Sequence, residues 1–250
     1  MNSRIMAHMV AGYPDRARSL DVARGIIAGG AAYVEVQFPF SDPTADGPDI
    51  QAACGAALRE GFTVSEGFRL LAEIGALASV PVFLMSYANL LFARGIEKFL
   101  GSCRAVGAAG VIVPDLPPGS DEGLYGIASR LGIHAIPVLS PSMRKERLAR
   151  IPELGARYLY ATLRSGTTGP RTIIDAESLS FLTAIGSLPS REPSLVMAGF
   201  GITSRDQVVA LESHVHAVIV GSALVREVAL GGDIETRVRE RVRGLVGAGE

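Results

Sequence analysis

Short apolar runs alternate with longer amphipathic stretches from one end of the chain to the other. The runs are "IMAHMV", "YVEVQF", "PVFLMSY", "GVIVPD", "HAIPVL", "YLYATL", "SLVMAG" and "AVIVG". They lack strict in–out alternation, which suggests strands covered on both faces, as in parallel sheets. Between them, stretches such as "DRARSLDVARGIIAGG" and "VSEGFRLLAEIGALA" repeat apolar residues every three or four positions, the helix period. Eight such units in series leave two architectures, a closed barrel or an open doubly wound sheet. An open dinucleotide-binding sheet should show GxGxxG after its first strand, and the chain reads "AGYPD" there. The expectation is therefore an α/β protein, a (β/α)8 TIM barrel forming one domain over residues 1–250. The longest connections, about residues 39–62 and 163–175, follow the second and sixth runs. Active sites in this fold lie at the carboxyl ends of the strands, so those connections matter.

Composition narrows the function classes. Hydrophobic residues make up 48% of the 250 residues and charged ones 20%, enough for a large core and against disorder. The formal charge is −1, with both signs interspersed, so nothing points to nucleic acid. The apolar runs are too short for a membrane span, and the start does not read as a signal peptide. Cys54 and Cys103 lack metal-ligand spacing and fit structural thiols in a reducing, cytoplasmic compartment.

One segment breaks the pattern. "VEVQFPFSDPTADGPDIQ" carries four carboxylates, three prolines and no basic residue. Glu35 lies inside a strand-like run and shares a face with Tyr33 and Gln37, near the carboxyl end. A carboxyl there, among apolar side chains, is expected to hold its proton more tightly and to act as an acid near neutrality. Asp42 and Asp46 follow on a loop stiffened by Pro39, Pro43 and Pro48. A rigidly held aspartate can orient a substrate N–H or O–H and stabilise charge developing on it. Asp42 as a turn cap and Asp46-Gly47 as a plain turn dipeptide stay open as structural readings.

At the other end of the chain, "SGTTG", "GFGIT" and "GSA" follow late strands, and the last two lead into helical patterns. Barrels often hold phosphate in the loops after the seventh and eighth strands, with a helix N-terminus. Ser222 can cap the last helix and still offer its hydroxyl. Little basic charge lies nearby, so binding would rest on amides and dipoles.

In order, "PFSDPTADGP", "SYANLLF", "VPDLP", "RSGTTG", "GFGIT" and "GSALV" resemble the tryptophan synthase α-subunit family, from about "AGYPD" to the final helix. The resemblance implies cleavage of indole-3-glycerol phosphate to indole and glyceraldehyde 3-phosphate, with no metal or organic cofactor in this chain. It implies Glu35 as the acid–base residue, Asp46 as the partner of the indole N–H, and Tyr160 near Glu35. Gly169, Phe200, Gly201, Gly221 and Ser222 match phosphate-binding positions. Arg164 and Thr168 fall on a loop that closes over substrate. Met85, Tyr87, Ile112 and Leu139 match the indole pocket, with ordinary barrel core as the alternative for each. The family partner is a β subunit carrying pyridoxal phosphate, in an αββα assembly, with Asp42 and "YANLLF" on the docking face.

Three departures stand out. Only about four residues precede the first run, where the family commonly has a helix covering the barrel base. His8 replaces a common Phe of the indole pocket, and Gln37 replaces a small glycine. As neighbours on strands one and two, His8 and Gln37 are expected either to bond each other beside Glu35 or to face water independently. His134, His214 and His216 read as structural. Two other functions remain open: another phosphate-binding barrel enzyme, such as an isomerase of phosphoribosyl intermediates, or an altered, non-catalytic barrel that activates a β subunit.

Overall fold

A computed structural model describes residues 3–163, 174–189, 192–199 and 201–247. The strands are β1 (Ile5–Val10), β2 (Tyr33–Gln37), β3 (Val82–Met85), β4 (Gly110–Ile112), β5 (His134–Ile136), β6 (Val138–Leu139), β7 (Tyr158–Thr162), β8 (Leu195–Gly199) and β9 (Ala217–Val220). All pair in parallel, in the order β5-β4-β3-β2-β1-β9-β8-β7-β6. Only Pro137 separates β5 from β6, so the two ends of that order are halves of one interrupted strand. The sheet thus closes on itself as an eight-position barrel. Proline has no N–H to give the ladder, but its carbonyl still accepts Tyr160 N–H at 3.0 Å.

Helices cover the outside: α1 (Arg16–Ala28), α2 (Pro48–Arg59), α3 (Val64–Leu77), α4 (Ala88–Arg94), α5 (Ile96–Ala105), α6 (Leu124–Leu131), α7 (Lys145–Leu148), α8 (Ala176–Gly186), α9 (Arg205–Glu212), α10 (Ser222–Ala229) and α11 (Ile234–Val246). Much of the expected connection at 39–62 is therefore the helix α2. Its buried positions, Ile50, Ala53, Cys54 and Ala57, keep the helix spacing, but small side chains make that stripe faint in the sequence. Thr63 starts α3 with a reciprocal capping box to Glu66.

Strand parity divides the core. Ile5, Ala7 and Met9, Val34 and Val36, and Val82 and Leu84 pack outward against helices. Met6, Tyr33, Phe83, Met85, Ile112, Ile136, Tyr160, Met197 and Ile219 fill the lumen. At the amino-terminal end of the strands the lumen holds an aromatic layer. Tyr33, Phe83 and Tyr158 meet with ring centroids 5.2–6.3 Å apart, and Tyr33 Oη lies 2.7 Å from His216 Nε2. His134 stacks edge-on against Tyr158. Among the described residues no His, Cys, Asp and Glu group suits a metal. Both cysteines are buried and unpaired, their thiols pushed up to about 12 by burial. No helix among the described residues is long and apolar enough to cross a membrane.

Candidate active site

At the carboxyl ends of the strands lies a cavity of about 420 Å³. His8, Glu35, Asp46, Met85, Ile112 and Tyr160 line one part of it, and Gly201, Gly221 and Ser222 another. Each acid arrives by a different route. Glu35 is fully buried on the inner face of β2. Asp46 sits on the following loop, two residues before α2, where its N–H reaches Pro43 O at 3.0 Å. The turn reading of Asp46 thus holds for the backbone, while the side chain turns inward and is buried.

The polar partners differ from expectation. His8 and Gln37 neither bond each other nor face water; both are buried. Strand register explains this. His8 is the Cα partner of Glu35, whereas Gln37 stands beside Val10. His8 Nδ1 lies 2.7 Å from Glu35 Oε1. Gln37 Nε2 instead donates to Asp46 Oδ2 at 2.6 Å, and Tyr87 Oη donates to the same oxygen at 2.9 Å. Both bonds fall on Oδ2. Glu35 Oε2 and His8 Nε2 are buried without a hydrogen-bond partner among the described residues.

These contacts set the electrostatics. Burial pushes the Asp46 carboxyl above the ordinary carboxylate range; His8, Gln37 and Tyr87 pull it back, and Glu35 raises it further. Burial depresses the His8 imidazole, but the bond and charge of Glu35, joined by Asp46, outweigh that and raise it. Burial, then Glu35 and Asp46, hold the Tyr160 phenol protonated.

Two pocket expectations are corrected. Leu139 packs outward in the helix-facing core, since it shares parity with Ala161 across the ladder; Val138, beside Tyr160, lines the cavity instead. Tyr87 is buried behind Asp46 and also accepts Ala45 N–H at 3.1 Å, so it supports the acid from behind. Asp42 is exposed on the loop, where Ser41 Oγ donates to it at 2.5 Å. Asp115 of "VPDLP" accepts Ala88 N–H at 2.9 Å and ties that loop to the start of α4.

On the glycine side, Gly221 precedes α10 and accepts Leu224 and Val225 N–H, closing the first turn. The first amides of a helix have no partner within it, which makes its N-terminus a place for anions. Ser222 is the first residue of α10 and makes no side-chain cap, and α11 follows, so its expected role as cap of the last helix is not met. Basic charge is also less scarce than expected: Arg144 and Arg147, from the segment after β6, reach the cavity wall. The run "RKER" carried that signal, but nothing in it disclosed which way the segment folds. Arg164, Thr168, Gly169 and Phe200 lie outside the described residues.

A closed parallel barrel with two buried acids and a glycine-lined helix start around one mouth defines a barrel enzyme for a small anionic substrate. The family model for the tryptophan synthase alpha chain matches residues 2–247. The tryptophan synthase alpha chain of Helicobacter hepaticus is 38% identical over 229 residues, covering 89% of this chain and 85% of the relative. That of Methanothermobacter thermautotrophicus is 34% identical over 249 residues, covering 96% and 90%. Among solved structures, the tryptophan synthase complex of Pyrococcus furiosus superimposes with a TM-score of 0.87 at 30% identity, covering 98% of both chains. Tryptophan synthase of Mycobacterium tuberculosis gives 0.87 at 29% identity, covering 98% and 92%. The chain belongs to the tryptophan synthase alpha chain family. It is a lyase of tryptophan biosynthesis acting on indole-3-glycerol phosphate, and the alpha chain of this family needs no cofactor.

Proposed function

We propose that the chain carries out retro-aldol cleavage of indole-3-glycerol phosphate through Glu35 and Asp46. Glu35 gives a proton from Oε2 to the ring carbon bearing the side chain, which turns the ring into an electron sink. The same carboxylate then takes the proton of the glycerol hydroxyl as the carbon–carbon bond breaks, so the acid is restored. Asp46 accepts the indole N–H on Oδ1 and stabilises the positive charge building there. Met85 and Ile112 flank the indole, Tyr87 braces Asp46, and Tyr160 stands beside Glu35. Gly201, Gly221 and Ser222 take the phosphate with the α10 N-terminus, joined by Gly169 and Phe200, while Arg164 and Thr168 belong to a closing loop. The observation that carries this reading is that both buried acids face one cavity, Glu35 with Oε2 unpartnered among the described residues and Asp46 with both of its side-chain bonds there on Oδ2.

The same reading gives the chain a β-subunit partner carrying pyridoxal phosphate, in an αββα assembly in the cytoplasm. The exposed loop at Asp42 and the α4 segment, with Phe92 exposed, form its docking face. The aromatic layer of Tyr33, Phe83 and Tyr158 fills the lumen at the base of the barrel.

Indole release from purified protein, alone and with a β subunit, tests the reaction. Glu35→Gln and Asp46→Asn should each lower turnover by roughly 10²–10⁴-fold, the span of positioned acid–base groups. Wild-type protein that stimulates a β subunit yet releases no indole in either condition would be a non-catalytic activator instead.

A further inference from the structure

The barrel places a histidine against the principal acid, and the geometry confines that histidine tightly. His8 sits in mid-β1 as the register partner of Glu35, and both side chains point into the lumen. On its other side His8 meets the end of the neighbouring strand β9: a Cβ built on Gly221 would lie 3.5 Å from His8 Cβ, Cγ and Cδ2, ordinary contact. The imidazole is therefore held between Glu35 on one side and the start of α10 on the other. Its Nδ1 is committed to Glu35 Oε1 at 2.7 Å. With Oε1 taken, Oε2 is the oxygen left for a reacting group, and it has no partner among the described residues.

We propose that His8 is a positioning residue that acts through Glu35: its Nδ1–H fixes Oε1, keeps Oε2 turned to the substrate, and stabilises the carboxylate left after proton transfer. The inference rests on the lyase reading. Protons balance without any further reactant. The Oε2 proton leaves for the ring carbon, Nδ1–H strengthens its bond to the new carboxylate, and the hydroxyl proton of the substrate restores the acid as the bond breaks. His8 ends as it began. A charge-assisted bond of this kind is stronger for the carboxylate than for the neutral acid, so its benefit grows as the proton departs.

The surroundings favour such a role. Around His8 the titratable groups among the described residues are Glu35 from β2, Asp46 from the next loop and Tyr160 from β7. The β9–α10 side offers Gly221 and Ser222, which carry no charge. Among the described residues, the charges that act on the ring are thus those of two acids, while Arg144 and Arg147 line the same cavity from the segment after β6.

The test is the pH profile of indole release, measured with the β subunit present, for wild type, His8→Phe and His8→Asn. His8→Phe removes the donor, so kcat should fall by roughly ten- to a hundredfold, the worth of one bond to a charged group, with KM little changed. Its pH profile should change as well, because the bond that distinguishes the carboxylate from the acid is gone. Asn can place an N–H where Nδ1 stands, so His8→Asn should recover most of kcat. A wild-type kcat and pH profile in His8→Phe would overturn the proposal, as would failure of Asn to do better than Phe. If wild-type protein releases no indole, the lyase reading fails and the pair is tested directly. The His8 ring nitrogens, followed by ¹⁵N NMR, should titrate at lower pH in Glu35→Gln than in wild type, and identical titrations would refute the coupling.

Discussion

Asp46 carries two bonds on one oxygen, and its burial works against its charge. Its folded pKa is raised above the usual carboxylate value, 3.8 in the unfolded chain. Between those two values the folded protein binds the proton more tightly than the unfolded one. The Asp46 contribution to stability is therefore greatest below the unfolded value and declines as pH rises towards the folded one. Asp46→Asn keeps an oxygen for Gln37 and Tyr87 but cannot ionise. Urea unfolding at neutral pH should accordingly find the variant no less stable than wild type while indole release is lost, and a clearly lowered midpoint would contradict this. Glu35 and Asp46 were legible in the sequence because a charge in a strand and a proline-held acid both need a reason. Their partners were not, because partnership depends on register. A shift of one residue between β1 and β2 exchanges inner for outer faces, and no residue type near His8 announces which neighbour it will meet.

Elements show a similar division. The strands follow the apolar runs closely, and the Thr63–Glu66 capping box can be read directly from "TVSE". Leu139 was misplaced because an expected pocket position says nothing about parity; the alternation that puts Tyr160 inward puts Val138, its partner, inward too. Packing between elements was also hidden. Helices α1 and α11 approach so closely that a Cβ at Gly25 would lie 2.6 Å from Glu235 O, and one at Gly29 2.5 Å from Val242 Cβ. These two glycines let the last helix dock on the first, beside Ser3 N–H bonded to Val246 O at 3.0 Å. Gly29→Leu should overpack that seam at a cost of about 1–3 kcal/mol. Denaturant unfolding would reveal it, with kcat of the remaining folded protein unchanged because the seam lies on the outer helical layer.

For the molecule as a whole, eight alternating units narrowed the fold to a closed barrel or an open doubly wound sheet, and "AGYPD" in place of GxGxxG after the first strand favoured the barrel. The aromatic layer at the base could not be foreseen, because Tyr33, Phe83 and Tyr158 are far apart in the chain and meet only once the ring has closed. The direction of Arg144 and Arg147 was hidden for the same reason.

Closure itself is uneven. Where β1 and β2 run side by side for five residues or more, β5 has three residues and β6 two, with a proline between them that donates nothing. Protection of backbone amides against deuterium should therefore be lowest, among the strands, at Ile136 and Leu139, and higher at Val34 and Val36; uniform protection around the ring would argue otherwise. The cylinder has a weak stave. Because that stave leads directly into the segment bearing Arg144 and Arg147, any loosening there would also move two cations on the cavity wall, beside an anionic guest.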